Sequence, residues 1–191
     1  MKKTILNFSI LIALVFSTAA FTTLKEKKEV KTSESTVTWK GYKVTGSHEG
    51  TVSLESGALM FEEGKLTGGE FVVDMTTLTS TDLEGEYKDK LDGHLKSDDF
   101  FGVANHPTSK LVFTSVKATG KNKYEVTGDL TIKNKTNPVT FDLSIYGSKA
   151  TGSLKIDRSK YDVRYGSGSF FENLGDKTIY DEFDLVVDLQ F

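Results

Sequence analysis

The chain of 191 residues contains no cysteine, and this absence excludes several kinds of structure and chemistry. Disulfide bonds, thiolate metal ligands, a cysteine nucleophile and lipidation of an N-terminal cysteine all require the missing residue. The fold must therefore be held by its hydrophobic core alone. Without the N-terminal segment considered below, about 170 residues are left, which is long enough for one domain that buries roughly 70% of the surface of its unfolded state.

Proline and net positive charge are also scarce in this sequence. Two prolines stand against 17 glycines, and the formal net charge is −3. The charge becomes −5 if Lys2 and Lys3 are removed with the N-terminal segment considered next. Because a mildly acidic surface with interspersed charges is poorly suited to a phosphate backbone, we expect no nucleic-acid partner.

A long apolar run occurs only near the N-terminus. Lys2 and Lys3 precede the stretch ILNFSILIALVFSTAA, which ends in small residues. This pattern indicates a secretory signal peptide over residues 1–20, with cleavage after Ala19 or Ala20. The alternative is an uncleaved anchor, for which the run is short compared with the ~20 residues of a membrane span. We therefore predict export to the periplasm and no integral membrane span.

The rest of the chain divides into two parts by composition. Residues 21–33, FTTLKEKKEVKTS, are polar and mixed in charge, which predicts a linker or a frayed start. Residues 34–191 are rich in Thr, Val, Phe and Tyr, with glycines between the apolar segments. This composition favours strands that are joined by glycine turns, and we assign residues 34–191 to one domain.

Several segments of this domain alternate between apolar and polar residues. In KYEVTGDLTIKN, the residues Tyr124, Val126, Leu130 and Ile132 share one face. The segment NPVTFDLSIYG and the C-terminal segment alternate in the same way, so each predicts a strand with one dry and one wet face, which is typical of an antiparallel sheet. Further strands are predicted at residues 35–45, 50–61, 66–78, 109–119 and 149–158.

One helix is predicted within residues 81–101. Thr81 and Glu84 have the spacing of a capping box. The apolar residues that recur at a spacing of four are Leu83, Tyr87, Leu91 and Leu95. They form one narrow apolar stripe on a charged helix, so this helix must pack against an apolar surface.

Eight strands that are each apolar on one face can form a two-sheet sandwich or a closed barrel. Hairpin order along the chain favours the barrel, and closure also removes exposed sheet edges. The predicted fold is an all-β antiparallel barrel of about eight strands with one helix. Such a barrel is either filled by its own side chains or holds one small ligand, and the alternation does not distinguish these outcomes.

Five motifs that occur in a fixed order are similar to those of a known family. They are the Trp39 strand, the His48–Gly50 turn, G-x-F-x-V-D-M at Gly69–Met75, HLKSDDFF, and IDRSKYDVRYG. On these motifs, the chain from Ser35 to Phe191 resembles the YceI-like family of exported bacterial proteins. The resemblance implies an extended, lipocalin-like barrel with a helix packed at its mouth. It also implies an interior that binds long isoprenoid chains, such as quinone tails or polyprenyl lipids, without specifying which lipid.

The candidate ligand-binding residues follow from the inward face of the strands and from this resemblance. Phe100 and Phe101 are adjacent aromatics after the helix, and they form either a plug over the cavity or ordinary core. The strand residues either fill the barrel or line a ligand cavity. The full candidate set is Trp39, Phe71, Val73, Leu91, Leu95, Phe100, Phe101, Phe113, Leu130, Ile132, Phe141, Ile145, Ile156, Tyr161, Tyr165 and Leu185.

Two polar residues are candidates for the barrel rim. His48 is a candidate contact for a polar head group. Arg158 either forms a buried ion pair with Asp157 that fixes the following turn, or meets an anionic head group. His48, His94 and His106 show neither H-E-x-x-H nor an i, i+4 pair, so no metal site is predicted.

No recognised catalytic constellation is present in the sequence. Ser167 lies in YGSGSFF, which lacks the G-x-S-x-G elbow of a serine hydrolase. We therefore predict a periplasmic binding or carrier protein without catalysis, with no cofactor other than a bound isoprenoid lipid or quinone, as a monomer or homodimer. Two alternatives stay open, namely a rim enzyme that uses His48, Arg158 and Tyr165, and a stress-protective structural barrel with a filled core.

Overall fold

The structure is a computed structural model that describes residues 24–191. The predicted signal peptide, residues 1–20, lies outside the described residues. The strands are β1 Lys25–Glu29, β2 Thr36–Lys43, β3 Gly46–Glu62, β4 Lys65–Ser80, β5 Thr108–Gly120, β6 Lys123–Ile132, β7 Lys135–Tyr146, β8 Lys149–Asp157 and β9 Ile179–Gln190. The α-helix is α1, Gly85–Lys96, and short 3₁₀ turns occupy Thr32–Glu34, Arg158–Tyr161 and Gly175–Lys177.

Strands β2 to β9 form a closed antiparallel barrel. Each strand pairs with the next one along the chain, and β9 pairs with β2 to complete the circle. In this closing pair, Val37 lies opposite Val187 and Trp39 lies opposite Leu185. The prediction of an eight-stranded antiparallel barrel with one helix is confirmed. Strands in hairpin order with one apolar face each can bury those faces together when the sheet closes on itself.

The short strand β1 lies beside the second half of β3, with Lys25 opposite Glu62 and Glu29 opposite Ala58. The linker that was predicted over residues 21–33 therefore differs from the structure, since residues 25–29 belong to the sheet. The reason is the length of β3, which continues for about ten residues beyond its pairing with β2 and leaves an edge for β1 to cover. The sequence KEKKE carries no apolar alternation that could have indicated this strand.

Helix α1 begins at Gly85, and the predicted capping box is not formed. Glu84 is the N-cap and makes no side-chain capping bond. The backbone N–H of Thr81 donates to the carbonyl oxygen of Glu49 at 2.9 Å, so Thr81 continues the sheet instead of starting the helix. Of the predicted stripe, Leu95 is buried, whereas Tyr87 is 75% exposed.

In residues 24–191, no helix is long and apolar enough to cross a membrane.

The barrel has two ends, which we call the mouth and the far end. At the mouth lie helix α1 with its flanking connections and the long connection between β8 and β9. At the far end lie the short turns β3–β4, β5–β6 and β7–β8. The mouth segments are residues 44–45, 81–107, 133–134 and 158–178, and the far-end turns are residues 63–64, 121–122 and 147–148.

The far half of the barrel is a filled core. The ring of Phe113 lies 5.6 Å from that of Phe71 and 5.8 Å from that of Phe141, measured between centroids. A Cβ atom on Gly69 would lie 2.7 Å from the Phe113 ring, and one on Gly57 would lie 2.7 Å from the Phe71 ring. The glycines of the wall therefore make room for the phenylalanine rings, which occupy the interior.

Candidate functional site

The mouth half of the barrel contains an apolar cavity of about 130 Å³. Its walls come from the inner faces of most of the barrel strands, and its cover comes from α1 and the connections beside it. The lining residues are Val37, Trp39, Gly41, Tyr42, Val52, Val73, Met75, Leu78, Leu95, Phe100, Phe101, Ser109, Leu130, Ile132, Ile156, Arg158, Ile179, Tyr180, Phe183 and Leu185. Nearly all of these side chains are apolar, so the cavity suits a hydrocarbon better than a polar substrate.

Phe100 and Phe101 both face this cavity because they lie in a turn and not in a strand. The N–H of Gly102 donates to the carbonyl oxygen of Ser97 at 2.8 Å, and Gly102 has a φ of +57°, which reverses the chain after the two rings. The two rings are 5.0 Å apart, and Phe101 lies 6.5 Å from Phe183 on β9. The pair therefore forms a cover over the cavity.

A polar cluster holds helix α1 against the end of β4. The hydroxyl of Thr79 and the N–H of Ser80 donate to the two carboxylate oxygens of Asp92, at 2.6 and 2.7 Å. Lys88 contacts Asp92 at 3.0 Å and also donates to Thr79 and to the carbonyl oxygen of Ser80. Partial burial acts to raise the pKa of Asp92, but the hydrogen bonds from Thr79, Ser80 and Lys88 outweigh it and lower this pKa to about 2.

Arg158 is the one charged residue of the cavity lining, and its side chain joins the mouth segments. It is 2% exposed, and its guanidinium donates to the carbonyl oxygens of Val163, Ile179 and Tyr180 at 2.8, 3.0 and 3.2 Å. The guanidinium also lies 5.3 Å from the centre of the Phe100 ring. Burial lowers the pKa of Arg158, and the neighbouring carboxylates act in the opposite direction.

The ion pair of Arg158 differs from the one that was predicted. Its partner is Asp181, with Nη2 and Oδ1 3.4 Å apart, and not Asp157. The carboxylate of Asp157 instead accepts hydrogen bonds from the N–H and the hydroxyl of Ser159, at 3.0 and 2.5 Å. The prediction failed because adjacent side chains at a strand end point in different directions.

His48 lies outside the cavity lining. Its Nδ1 is 2.8 Å from a carboxylate oxygen of Asp82, whose other oxygen accepts from the N–H of Glu49 at 3.3 Å. Partial burial acts to raise the pKa of Asp82, but the hydrogen bond with His48 and the bond from Glu49 produce a net lowering. His48 therefore fastens the β4–α1 connection to β3.

About half of the predicted ligand-binding residues meet in the cavity. Those that line it are Trp39, Val73, Leu95, Phe100, Phe101, Leu130, Ile132, Ile156 and Leu185, together with the rim candidate Arg158. The predicted residues that lie elsewhere are Phe71, Leu91, Phe113, Phe141, Ile145, Tyr161, Tyr165 and His48. A ligand contact at any of these positions stays a prediction.

The residues outside the cavity have other surroundings. Tyr161 belongs to the connection between β8 and β9 and is 1% exposed, and burial raises its pKa to about 12. Tyr165 is 49% exposed, and its ring lies 4.4 Å from that of His94 on α1. Arg158 faces the cavity while Tyr165 and His48 do not, so the three residues of the rim-enzyme alternative do not share a pocket.

The sequence also missed several lining residues, and a simple signal could have found some of them. Val37 and Gly41 each stand two positions from Trp39, Met75 stands two positions from Val73, and side chains at this spacing share a face.

Within residues 24–191, no group of three His, Asp or Glu side chains is arranged to hold a metal ion.

Comparison with known families gives a match over most of the chain. The family model described as the YceI-like domain matches residues 29–191. A UPF0312 protein of Pseudomonas putida is 37% identical over 98 residues, which are 51% of this chain and 49% of that protein. A UPF0312 protein of Azotobacter vinelandii is 33% identical over 98 residues, with the same coverage. The matched region thus spans about half the length of these curated relatives.

Solved structures show the same fold at low sequence identity. BcnA of Burkholderia cenocepacia superimposes with a TM-score of 0.64 at 23% identity, over 84% of this chain and 98% of BcnA. A polyisoprenoid-binding domain from Saccharophagus degradans, implicated in plant cell wall breakdown, gives a TM-score of 0.55 at 13% identity, over 85% of this chain and 97% of that domain. At these identities the comparison establishes the fold alone.

Proposed function

Because the chain belongs to the YceI-like family, we propose that this protein binds one apolar chain molecule of isoprenoid type in the mouth half of its barrel. The observation that carries the proposal is the apolar cavity that Phe100 and Phe101 help to line. The structural neighbour from Saccharophagus degradans is described as polyisoprenoid-binding, which supports this ligand class. We further propose that the protein acts in the periplasm as a carrier or reservoir of a quinone or polyprenyl lipid.

The size of the cavity sets a condition on this binding. A volume of about 130 Å³ is close to that of the ~150 Å³ apolar cavity that stays dry and holds one benzene molecule. A longer ligand therefore has only one end inside the cavity. The rest of the ligand either displaces the rings of Phe100 and Phe101 or extends out through the mouth. Burial of about ten methylene groups provides ~8 kcal/mol, which is the scale of micromolar binding before ordering costs are subtracted.

Arg158 has a positioning role in this proposal. Three backbone carbonyl oxygens and the Asp181 carboxylate surround its guanidinium, so the side chain joins the β8–β9 connection to the start of β9. The same guanidinium lies against the ring of Phe100. Arg158 thereby fixes the position of the β8–β9 connection relative to the turn that carries Phe100.

A substitution at Gly41 tests the location of the ligand. A Cβ atom at Gly41 would meet no atom within 4 Å, and Gly41 lines the cavity. The ring of Gly41→Phe has the size of benzene, so it should fill the space that the ligand needs. We expect at least a tenfold loss of bound polyprenol, because a part of the ligand about as large as one ring can no longer be buried. The measurement is organic extraction and mass spectrometry of protein incubated with a long-chain polyprenol.

The matched control is Gly93→Phe, which adds the same ring on the solvent side of α1. Gly93 is exposed, and a Cβ atom there would also meet nothing within 4 Å. This variant should retain the polyprenol. Equal binding by both variants would place the ligand outside the barrel mouth, and no uptake by the native protein would leave the filled structural barrel as the better description.

A further inference from the structure

Exposed aromatic side chains are concentrated beside the mouth. Tyr165, Phe170, Phe171 and Tyr180 are 49%, 40%, 49% and 52% exposed. Of the six large aromatic side chains that are exposed in residues 24–191, these four fall within one stretch of 16 residues. We call this set the aromatic rim. Clusters of exposed apolar side chains mark surfaces that contact a partner or a membrane.

The connection that carries the aromatic rim is folded around a buried serine. Ser167 is fully buried, and its carbonyl oxygen accepts from the N–H groups of Phe170 and Phe171 at 3.2 and 3.0 Å. Its hydroxyl accepts from the N–H of Ser169 at 3.1 Å, and the hydroxyl of Ser169 donates to Asp181 at 2.6 Å. The polar side chain thus lies inside while the rings lie outside, which reverses the usual arrangement.

The aromatic rim is continuous with the ligand cavity. Tyr180 belongs to both, because it lines the cavity and is half exposed. The ring of Tyr165 contacts His94 on α1, and the N–H of exposed Val44 donates to the carbonyl oxygen of Thr178 at 3.1 Å. Tyr180 is therefore the residue at which the aromatic rim meets the lining of the cavity.

We propose that the aromatic rim inserts into the interface of a lipid bilayer, so that the mouth opens onto the acyl chains. This inference rests on the proposed function, because a water-insoluble isoprenoid resides in a bilayer and crosses water only at a cost that grows with its exposed methylene groups. Tyr and Phe both have large apolar rings, and Tyr also has a polar hydroxyl at its tip. Such side chains suit the boundary between headgroups and acyl chains.

The charges beside the rim fit a headgroup layer. The guanidinium of Arg164 lies 5.0 Å from the centre of the Phe170 ring, where it can remain at headgroup level while the ring enters the apolar layer. Arg164 also pairs with the carboxylate of Asp162. From Arg164 to Lys177 the exposed charges are balanced, because these two cations are matched by Glu172 and Asp176, and this balance suits a zwitterionic headgroup layer. A second copy of the chain would be a poorer occupant, because a dimer through the rim would cover the mouth and block the ligand.

The test compares native protein with the double variant Phe170→Ser and Phe171→Ser in flotation with phosphatidylcholine vesicles. Both rings are exposed, so their removal leaves the barrel core unchanged. We expect the native protein to float with the vesicles and the double variant to bind at least about tenfold more weakly, since two partly inserted rings are lost. The matched control is Tyr146→Ser at the far end, which is 56% exposed and should bind as the native protein does.

A second measurement separates docking from ligand binding. The same proteins are loaded with a long-chain polyprenol either from ethanol or from vesicles that contain it. Normal loading of the double variant from ethanol, with slower loading from vesicles, supports the inference. Flotation of the native protein without loading from either source would refute the proposed function and leave the docking intact.

Two results would overturn the docking inference. The first is equal flotation and equal extraction rates for the native protein and the rim variant. The second is a native dimer in analytical ultracentrifugation that becomes a monomer in the rim variant, because the rim would then be an interface between two copies.

Discussion

Two glycines on the barrel wall summarise the difference between its halves. A Cβ atom on Gly69, in the far half, would lie 2.7 Å from the ring of Phe113, whereas one on Gly41, in the mouth half, would meet no atom within 4 Å. The first glycine makes room for a ring that the chain supplies, and the second leaves space that the chain does not fill. One alternating pattern therefore produces a packed core at one end and a cavity at the other.

The mouth half also differs from the far half because two of its aromatic rings come from a connection and not from a wall strand. The rings of the far half belong to wall strands, with Phe71 on β4 and Phe141 on β7. The rings that cover the mouth, Phe100 and Phe101, come from the connection between α1 and β5. A ring on a wall strand is fixed by sheet hydrogen bonds, whereas a ring on a connection can move without breaking the barrel. The comparison indicates that stability resides in the far half and adaptability in the mouth.

The largest expected contrast is between Phe141→Ala and Phe101→Ala. Phe141 is 7% exposed among the far-half rings, so its truncation should lower the free energy of unfolding by about 3–5 kcal/mol. Phe101 is half-buried over a cavity, so its truncation should cost less than half as much. Urea unfolding followed by circular dichroism measures both values. Equal losses would show that the cover of the mouth is as much a part of the core as the far half.

The second contrast is between Gly69→Ala and Gly41→Ala. The added methyl group at Gly69 has to displace the Phe113 ring, which should cost about 1–3 kcal/mol in unfolding free energy. The methyl group at Gly41 enters open space, and Gly41 has no positive φ, so this variant should be neutral or more stable by up to ~1 kcal/mol. A strong loss of stability for Gly41→Ala would mean that the mouth half is already filled.

The third contrast concerns pH, which should affect the mouth through Asp92. Its pKa is lowered from 3.8 to about 2 in the folded protein, so its contribution is complete above pH 4 and is lost as the pH falls towards 2. Asp92→Asn should therefore cost about 1–2 kcal/mol at pH 7, after allowance for partial exposure, and almost nothing near pH 2. Urea unfolding of both proteins at pH 7, 4 and 2 measures this. A constant difference at every pH would assign the effect to helix packing instead of to the carboxylate.

The alternation of the sequence predicted the barrel strands because each one has a single buried face. It did not predict the position of each residue along the barrel axis, between the mouth and the far end. Phe71 and Val73 stand two residues apart on the same face of β4, yet only Val73 lines the cavity. This position depends on the register between hairpins, and the surroundings of a residue depend on which side chain fills the space across the barrel interior. Neither is encoded within one strand. For this reason the predicted binding set contained both the cavity residues and the far-end core.

Two local predictions failed for a similar reason. Thr81 and Glu84 have the spacing of a capping box, but the carbonyl oxygen of Glu49 takes the N–H of Thr81, so the sheet continues and the helix starts later. The aromatic rim was missed except for Tyr165, because the stretch YGSGSFF has no periodicity that indicates which side chains face outward. The orientation depends on the turn around buried Ser167, whose carbonyl oxygen accepts from the N–H groups of Phe170 and Phe171, and only the folded connection shows it.

The closure of the barrel by β2 and β9 has a consequence for the order of folding. Val37 and Val187 are opposite each other although about 150 residues separate them along the chain, and such long-range pairing is slow because a large loop must close first. Hairpins between successive strands can form early, but the circle is complete only when β9 joins β2. Since Trp39, Phe183 and Leu185 belong to these two strands, the apolar cavity should be the latest part of the molecule to be assembled.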